Sequence, residues 1–231
     1  MVIKAVFFDM DCTLVYVPIS HVQFLIKVYQ KLGLSFSLEQ MTIAYEKHEK
    51  WFNEKFSDYT LQTREAFIES NYKLLESLGA KGDLQKLAER VQSYWENLSE
   101  EADEKLYPEA KSVLETLREK RLTLGIISNR SLITSLKSLE KHNISSYFQC
   151  VVSPQTAGAP NGKNSLQMWL YALNRIGVKP NETLHVDDIY EEILGAKQAG
   201  IRPVLIDRKG IYSSVTDCFL IHDLTEIFEL L

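Results

Sequence analysis

Asp9 and Asp11 stand two positions apart, directly after the apolar run Val2–Phe8. In an extended stretch both side chains can face the same side. Two carboxylates held that close repel each other unless a cation or a proton intervenes. A hard divalent cation such as Mg²⁺ suits such a place, because it binds one or two carboxylates, keeps several waters and takes a substrate phosphate as well. Three more polar spots follow later apolar runs: Ser128-Asn129 after Leu122–Ile127, Lys163 after Tyr147–Val152, and Asp187-Asp188 after Thr183–Val186. Asp187 can supply a second carboxylate and Lys163 a fixed positive charge. An Asp-x-Asp-x-Thr stretch is otherwise a turn leading to a helix N-cap. Four loaded spots in succession outweigh that reading, because open parallel sheets bind ligands at the carboxyl ends of their strands.

The elements that must carry these residues can be read from periodicity. A fifth apolar run, Pro203–Ile206, joins the other four, and helical patterns alternate with them at Glu109–Lys120, Ser131–His142, Ser165–Ile176 and Glu191–Ala199. Near-continuous apolar runs suit strands covered on both faces. The alternation predicts an α/β fold, a Rossmann-like parallel sheet core with right-handed crossovers. Residues 18–103 break the pattern. They carry amphipathic helical repeats at His21–Lys31, Leu38–Phe56, Arg64–Leu78 and Leu84–Leu98 and no strand. The core is therefore expected over 1–17 and 104–231, with a helical insert at 18–103 and hinges near Pro18 and Pro108. Trp51, Phe52, Phe56 and Tyr59 read as core of the insert, and Arg64 as a solvated arginine.

Composition removes several classes of function. The 231 residues include 26 basic and 31 acidic ones, a net charge of −5. That balance leaves no basic footprint for nucleic acid, and no apolar run reaches membrane-spanning length. A phosphate-binding site must then concentrate its positive charge locally. Cys12, Cys150 and Cys218 are too far apart for a zinc or redox motif and read as reduced thiols. The first residues run straight into Asp9 and are not read as a signal peptide. A soluble, cytoplasmic protein is expected. Neither a P-loop nor a GxGxxG fingerprint occurs, and His185, on a buried strand, reads as a structural hydrogen-bonding residue.

The motifs resemble those of the haloacid-dehalogenase-like superfamily. DMDCTL, Asp9–Leu14, is similar to the first motif, DxDGTL; IISN, Ile126–Asn129, looks like the second; Lys163 looks like the third-motif lysine; and LHVDDIYEEILGAKQAG, Leu184–Gly200, is similar to the fourth. The insert looks like the family's helical cap. The resemblance implies that Asp9 attacks phosphorus and becomes an aspartyl-phosphate. Asp11 would act as general acid and base, a role that wants a carboxyl titrating nearer neutrality than free Asp. Asp9, the Asp11 backbone carbonyl and Asp187 would hold Mg²⁺, with Asp188 and Glu192 in support. Asp187 and Asp188 can be aligned either way by one residue. Ser128, Asn129 and Lys163 would bind the substrate phosphate. The implied activity is a phosphatase for a small phosphorylated metabolite. A phosphomutase using the same residues, or a catalytically weakened binding protein, are the alternatives. A dehalogenase typically lacks the second motif-one Asp, present here as Asp11. Three positions depart from the pattern: Cys12 where Gly is usual, Val186 where Gly commonly precedes the motif-four Asp, and Asn164 where Pro often follows the lysine.

Overall fold

The computed structural model describes residues 2–97 and 102–231, and the chain divides into two compact units, Met1–Tyr16 with Lys105–Leu231, and Val17–Glu104. The first unit is built on a six-stranded parallel sheet in the order β5-β4-β1-β6-β7-β8. Its strands are β1 (Ala5–Phe8), β4 (Thr123–Ile127), β5 (Phe148–Val152), β6 (Thr183–Asp187), β7 (Arg202–Ile206) and β8 (Phe219–Ile221). A separate antiparallel ribbon pairs β2 (Val15–Tyr16) with β3 (Lys105–Leu106). The α/β core expected from the alternation is present. The short β2, β3 and β8 were not expected, since two or three residues are too few to show a period, and β1 begins at Ala5 rather than Val2.

The apolar runs are continuous because the central strands are covered on both faces. Val6, Phe8, Ile126, Leu184 and Val186 pack on one side with Val113, Leu114 and Leu117 of α5 (Ala110–Glu119) and Leu139 of α6 (Leu132–Lys141). Phe7, Ile127 and Val152 face the other side, where they meet Met168, Trp169 and Leu173 of α8 (Leu166–Ile176) and Ala196 of α9 (Tyr190–Gln198). A single turn, α7 (Pro154–Ala157), follows β5. β1 lies between β4 and β6, with Ala5 paired to both Thr123 and Thr183. The chain therefore leaves β1 at Asp9 in the middle of the sheet's carboxyl edge.

The second unit has its own core. Helices α1 (His21–Lys31), α2 (Leu38–Lys55), α3 (Arg64–Ser77) and α4 (Leu84–Glu96) bury Phe24, Leu25, Val28, Met41, Leu74, Leu75 and Val91 against one another. Leu98, the predicted end of the fourth helix, lies outside the described residues. Ser20 with Gln23 and Ser37 with Gln40 form capping boxes that fix where α1 and α2 start. Phe52 stacks on Phe67 at 5.5 Å and Phe56 is buried, whereas Arg64 is half exposed and pairs with Glu96 at 3.0 Å. Among the described residues no helix is long and apolar enough to cross a membrane.

Gly125 shows how tightly the sheet packs beneath the site. A methyl group there would sit 2.7 Å from the Phe7 ring and 2.9 Å from Cys150 Sγ. Gly125→Ala should therefore cost about 1–3 kcal/mol by overpacking, read as a lower urea midpoint. An unchanged midpoint would mean that Phe7 moves aside freely.

Candidate active site

Asp9 is the first residue past β1, and its N–H donates to the Val186 carbonyl of β6 at 2.9 Å. The chain then turns sharply. Leu14 and Val15 both donate to the Met10 carbonyl, and Cys12 donates to the Val15 carbonyl at 2.7 Å. Cys12 has φ +55°, in the left-handed region. The permissive backbone that a glycine would supply is thus retained with a cysteine in place, at a strain of roughly 1–2 kcal/mol.

Lys163 lies in the one-turn segment Gly162–Asn164 and is almost wholly buried. Three contacts fix its backbone. Its N–H donates to Asn129 Oδ1 at 3.0 Å, Trp169 Nε1 donates to its carbonyl at 2.7 Å, and α9 approaches closely where Gly195 has no Cβ to strike that carbonyl. Its ammonium then meets three carboxylates: Asp9 Oδ1 at 2.5 Å, Asp187 Oδ2 at 2.7 Å and Glu192 Oε2 at 2.5 Å. Asn129 Nδ2 donates to the other oxygen of Glu192 at 2.9 Å. One oxygen from each of Asp9, Asp187 and Glu192 lies within 4.8 Å of the others, a set able to hold a metal ion.

Charges in this cluster are strongly shifted. Burial pushes the Asp9 carboxyl well up, with the Asp187 and Asp11 charges adding to it and Lys163 opposing. Burial acts on Asp187 as well, but Lys163 and the His185 hydrogen bond outweigh it and hold the group at about 2. Lys163 is itself raised, because three carboxylates overcome its desolvation. His185 Nε2 lies 2.9 Å from Asp187 Oδ2, and burial lowers its pKa, so a neutral imidazole supports the carboxylate. Asp188, by contrast, lies outside the ammonium's contacts and is pushed up to about 7 by burial and the Asp187 charge.

The predicted residues thus fall into two groups. Asp9, Lys163, Asp187 and Glu192 come together, with Asn129 bridging two of them. The Asp11 side chain is half exposed and is gripped by Arg130, Nε to Oδ2 at 2.6 Å and Nη2 to Oδ1 at 2.5 Å. Ser128 is buried beside it, its hydroxyl accepting the Arg130 N–H at 3.3 Å. Arg130 escaped the sequence reading. Its one available signal was its position immediately after Ser128-Asn129.

Lys163→Met should cost about 3–5 kcal/mol with chelator present, since buried carboxylates lose their counter-charge. The sign with pH follows from Asp187. In the wild type its depressed pKa contributes stability that is present above its ordinary value near 3.8 and is lost as pH falls through about 2. Without the lysine, burial raises the carboxyls, so the deficit is largest near neutrality and shrinks as they take up protons. Urea unfolding of both proteins at about pH 7.5 and about pH 5 checks this, and an equal gap at both would count against it.

Comparison with known proteins identifies the family. The family model for haloacid dehalogenase-like hydrolases matches residues 3–200. A phosphatase of Mycobacterium tuberculosis is 33% identical over 105 residues, 45% of this chain; the match spans about half of that relative, 48% of its length. A ribulose-1,5-bisphosphate 5-phosphatase of Halopiger xanaduensis is 27% identical over 209 residues, 88% of this chain and 84% of that one. A solved 2-haloacid dehalogenase from Pseudomonas syringae shares the fold, with TM-score 0.76 and 23% identity over 99% of this chain and 97% of that one. The chain belongs to the haloacid dehalogenase-like hydrolase family.

Proposed function

We propose that the chain is a magnesium-dependent phosphatase that hydrolyses a small phosphate monoester through an aspartyl-phosphate on Asp9. The observation that carries this reading is the buried cluster of Asp9, Asp187 and Glu192 around Lys163. The relatives named as phosphatases point the same way. The donors fit a hard dication: all are carboxylate oxygens, and three of them against one ammonium leave surplus negative charge in a buried place. Asp9, Asp187 and Glu192, with the Asp11 backbone carbonyl, would hold Mg²⁺, and Asp188, next in sequence to Asp187, would support them. When bound, the ion would add positive charge against the phosphate oxygens.

The residues divide the remaining work. An Asp9 oxygen forms a bond to phosphorus as the ester P–O bond breaks, while Asp11 gives its proton to the leaving oxygen. Water then attacks phosphorus, Asp11 takes its proton, and the bond to Asp9 breaks with release of inorganic phosphate. Lys163 steadies Asp9 and a phosphate oxygen, and Ser128 and backbone N–H groups of its loop bind the others. Asp11 has to leave Arg130 to serve in either step. The helical unit would act as a cap that excludes bulk water and selects the substrate.

Phosphate release from a panel of small phosphate esters, with and without chelator, tests the reading. Release should need Mg²⁺, and Asp9→Asn should abolish it while the protein stays folded. Release that persists in excess chelator, or in Asp9→Asn, would overturn the reading. Isomerised ester without free phosphate would mark a phosphomutase instead.

The role of Asp11 has a separate signature. Asp11→Asn should slow an alkyl phosphate by roughly 10²–10⁴-fold, because a basic alkoxide needs the proton. p-Nitrophenyl phosphate leaves as a stabilised anion, so its first step should be nearly spared and a burst should precede slow turnover. Equal losses on both substrates with no burst would make Asp11 a structural or metal-holding residue.

A further inference from the structure

The strained turn after Asp9 is held from outside by one side chain. Arg208 is the second residue past β7, at the start of a loop fixed by Asp207, which is buried and accepts the N–H groups of Ile211 and Tyr212 at 2.9 and 2.8 Å. Its guanidinium donates from Nε to the Cys12 carbonyl at 3.2 Å and from Nη2 to the Thr13 carbonyl at 2.9 Å. Its plane centre lies 3.5 Å from the Tyr107 ring centroid, and Nη2 pairs with Glu109 at 2.7 Å. Tyr107 in turn donates its N–H to the Leu14 carbonyl at 2.9 Å. The Arg208 side chain is only 15% exposed.

These contacts have one common target. A left-handed residue in a tight turn points successive carbonyls outward, and a planar fork of donors is suited to gather two of them. Cys12 is the residue whose φ is unfavourable for a side chain with a Cβ, and it lies between Asp11 and Thr13. The stack on Tyr107 and the pair with Glu109 leave the fork little freedom, so it holds the turn rather than following it. We infer that Arg208 is a positioning residue for the proposed reaction: it clamps the Cys12–Thr13 turn and so compensates for the cysteine that stands where a glycine would be unstrained. The role rests on the phosphatase reading for its kinetic consequence, but not for its mechanical one.

The test is a double-mutant cycle on the full chain. Arg208→Ala should lower kcat on p-nitrophenyl phosphate roughly 10–100-fold with KM within about twofold, since a misplaced nucleophile costs rate more than binding. In hydrogen exchange, peptides covering residues 9–16 should lose protection while those from α8 do not. Arg208→Lys should recover part of both, having a charge but no fork. Cys12→Gly should shrink both effects of Arg208→Ala to a few-fold, because glycine takes the turn without strain. Unchanged exchange in Arg208→Ala, or effects of equal size in the Cys12 and Cys12→Gly backgrounds, would overturn the clamp. If Arg208→Ala does not fold, Arg208→Lys carries the same comparison. If the wild type hydrolyses no ester, the phosphatase reading falls and the exchange cycle alone decides the clamp.

Discussion

The Lys163 ammonium, shared among Asp9, Asp187 and Glu192, is the interaction on which the rest of the structure depends. Three carboxylates from three different elements repel one another in a place so little exposed unless a positive charge stands among them, and the ammonium supplies one. The sheet brings two of them side by side, because β1 and β6 are neighbours in register and end at the same height. The third comes from α9, whose Gly195 permits the close approach to the lysine's own carbonyl. Asn129, two residues past β4, ties the lysine backbone to Glu192.

Strands and helices of the core were legible because both faces of the sheet are buried. Val2–Phe8, with one lysine, and Leu122–Ile127, with one threonine, are near-continuous apolar runs for that reason, and the chemically loaded residues stood out after them. Asp9 and Asp187 were visible as the polar ends of such runs, and Lys163 as the lysine that follows Tyr147–Val152 after a loop. The choice between Asp187 and Asp188 was not, since adjacent residues point to opposite faces and the alignment could slip by one. The fold separates them: Asp187 is the last residue of β6, on the side of His185 and Lys163, and Asp188 is not.

What stayed hidden has a common cause. Arg130 and Arg208 act through carbonyls and a carboxylate far away in sequence, and a lone arginine has no period or spacing to betray it. Glu192 was read as support for a metal, but on a helix whose first turn is simply acidic its contact with Lys163 shows only in the fold. Cys12 was visible as a departure from the motif, but only the backbone reveals that the left-handed turn is kept. β8 and the β2–β3 ribbon are too short for alternation to register.

The position of β1 has a consequence for how the protein acquires its structure. The strand that carries Asp9 pairs on one side with residues around 123 and on the other with residues around 183. Neither pairing is local, so during synthesis β1 stays without a partner until β4, more than a hundred residues later, has been made. Non-local parallel pairing is slow, because the entropy of closing long loops precedes any reward. The four helices inserted between β1 and β4 have their own core built from near neighbours. Folding early, they would shorten the loop that β1 has to close. An unpaired apolar strand is meanwhile exposed to aggregation, and early folding of the helical unit would shorten that wait.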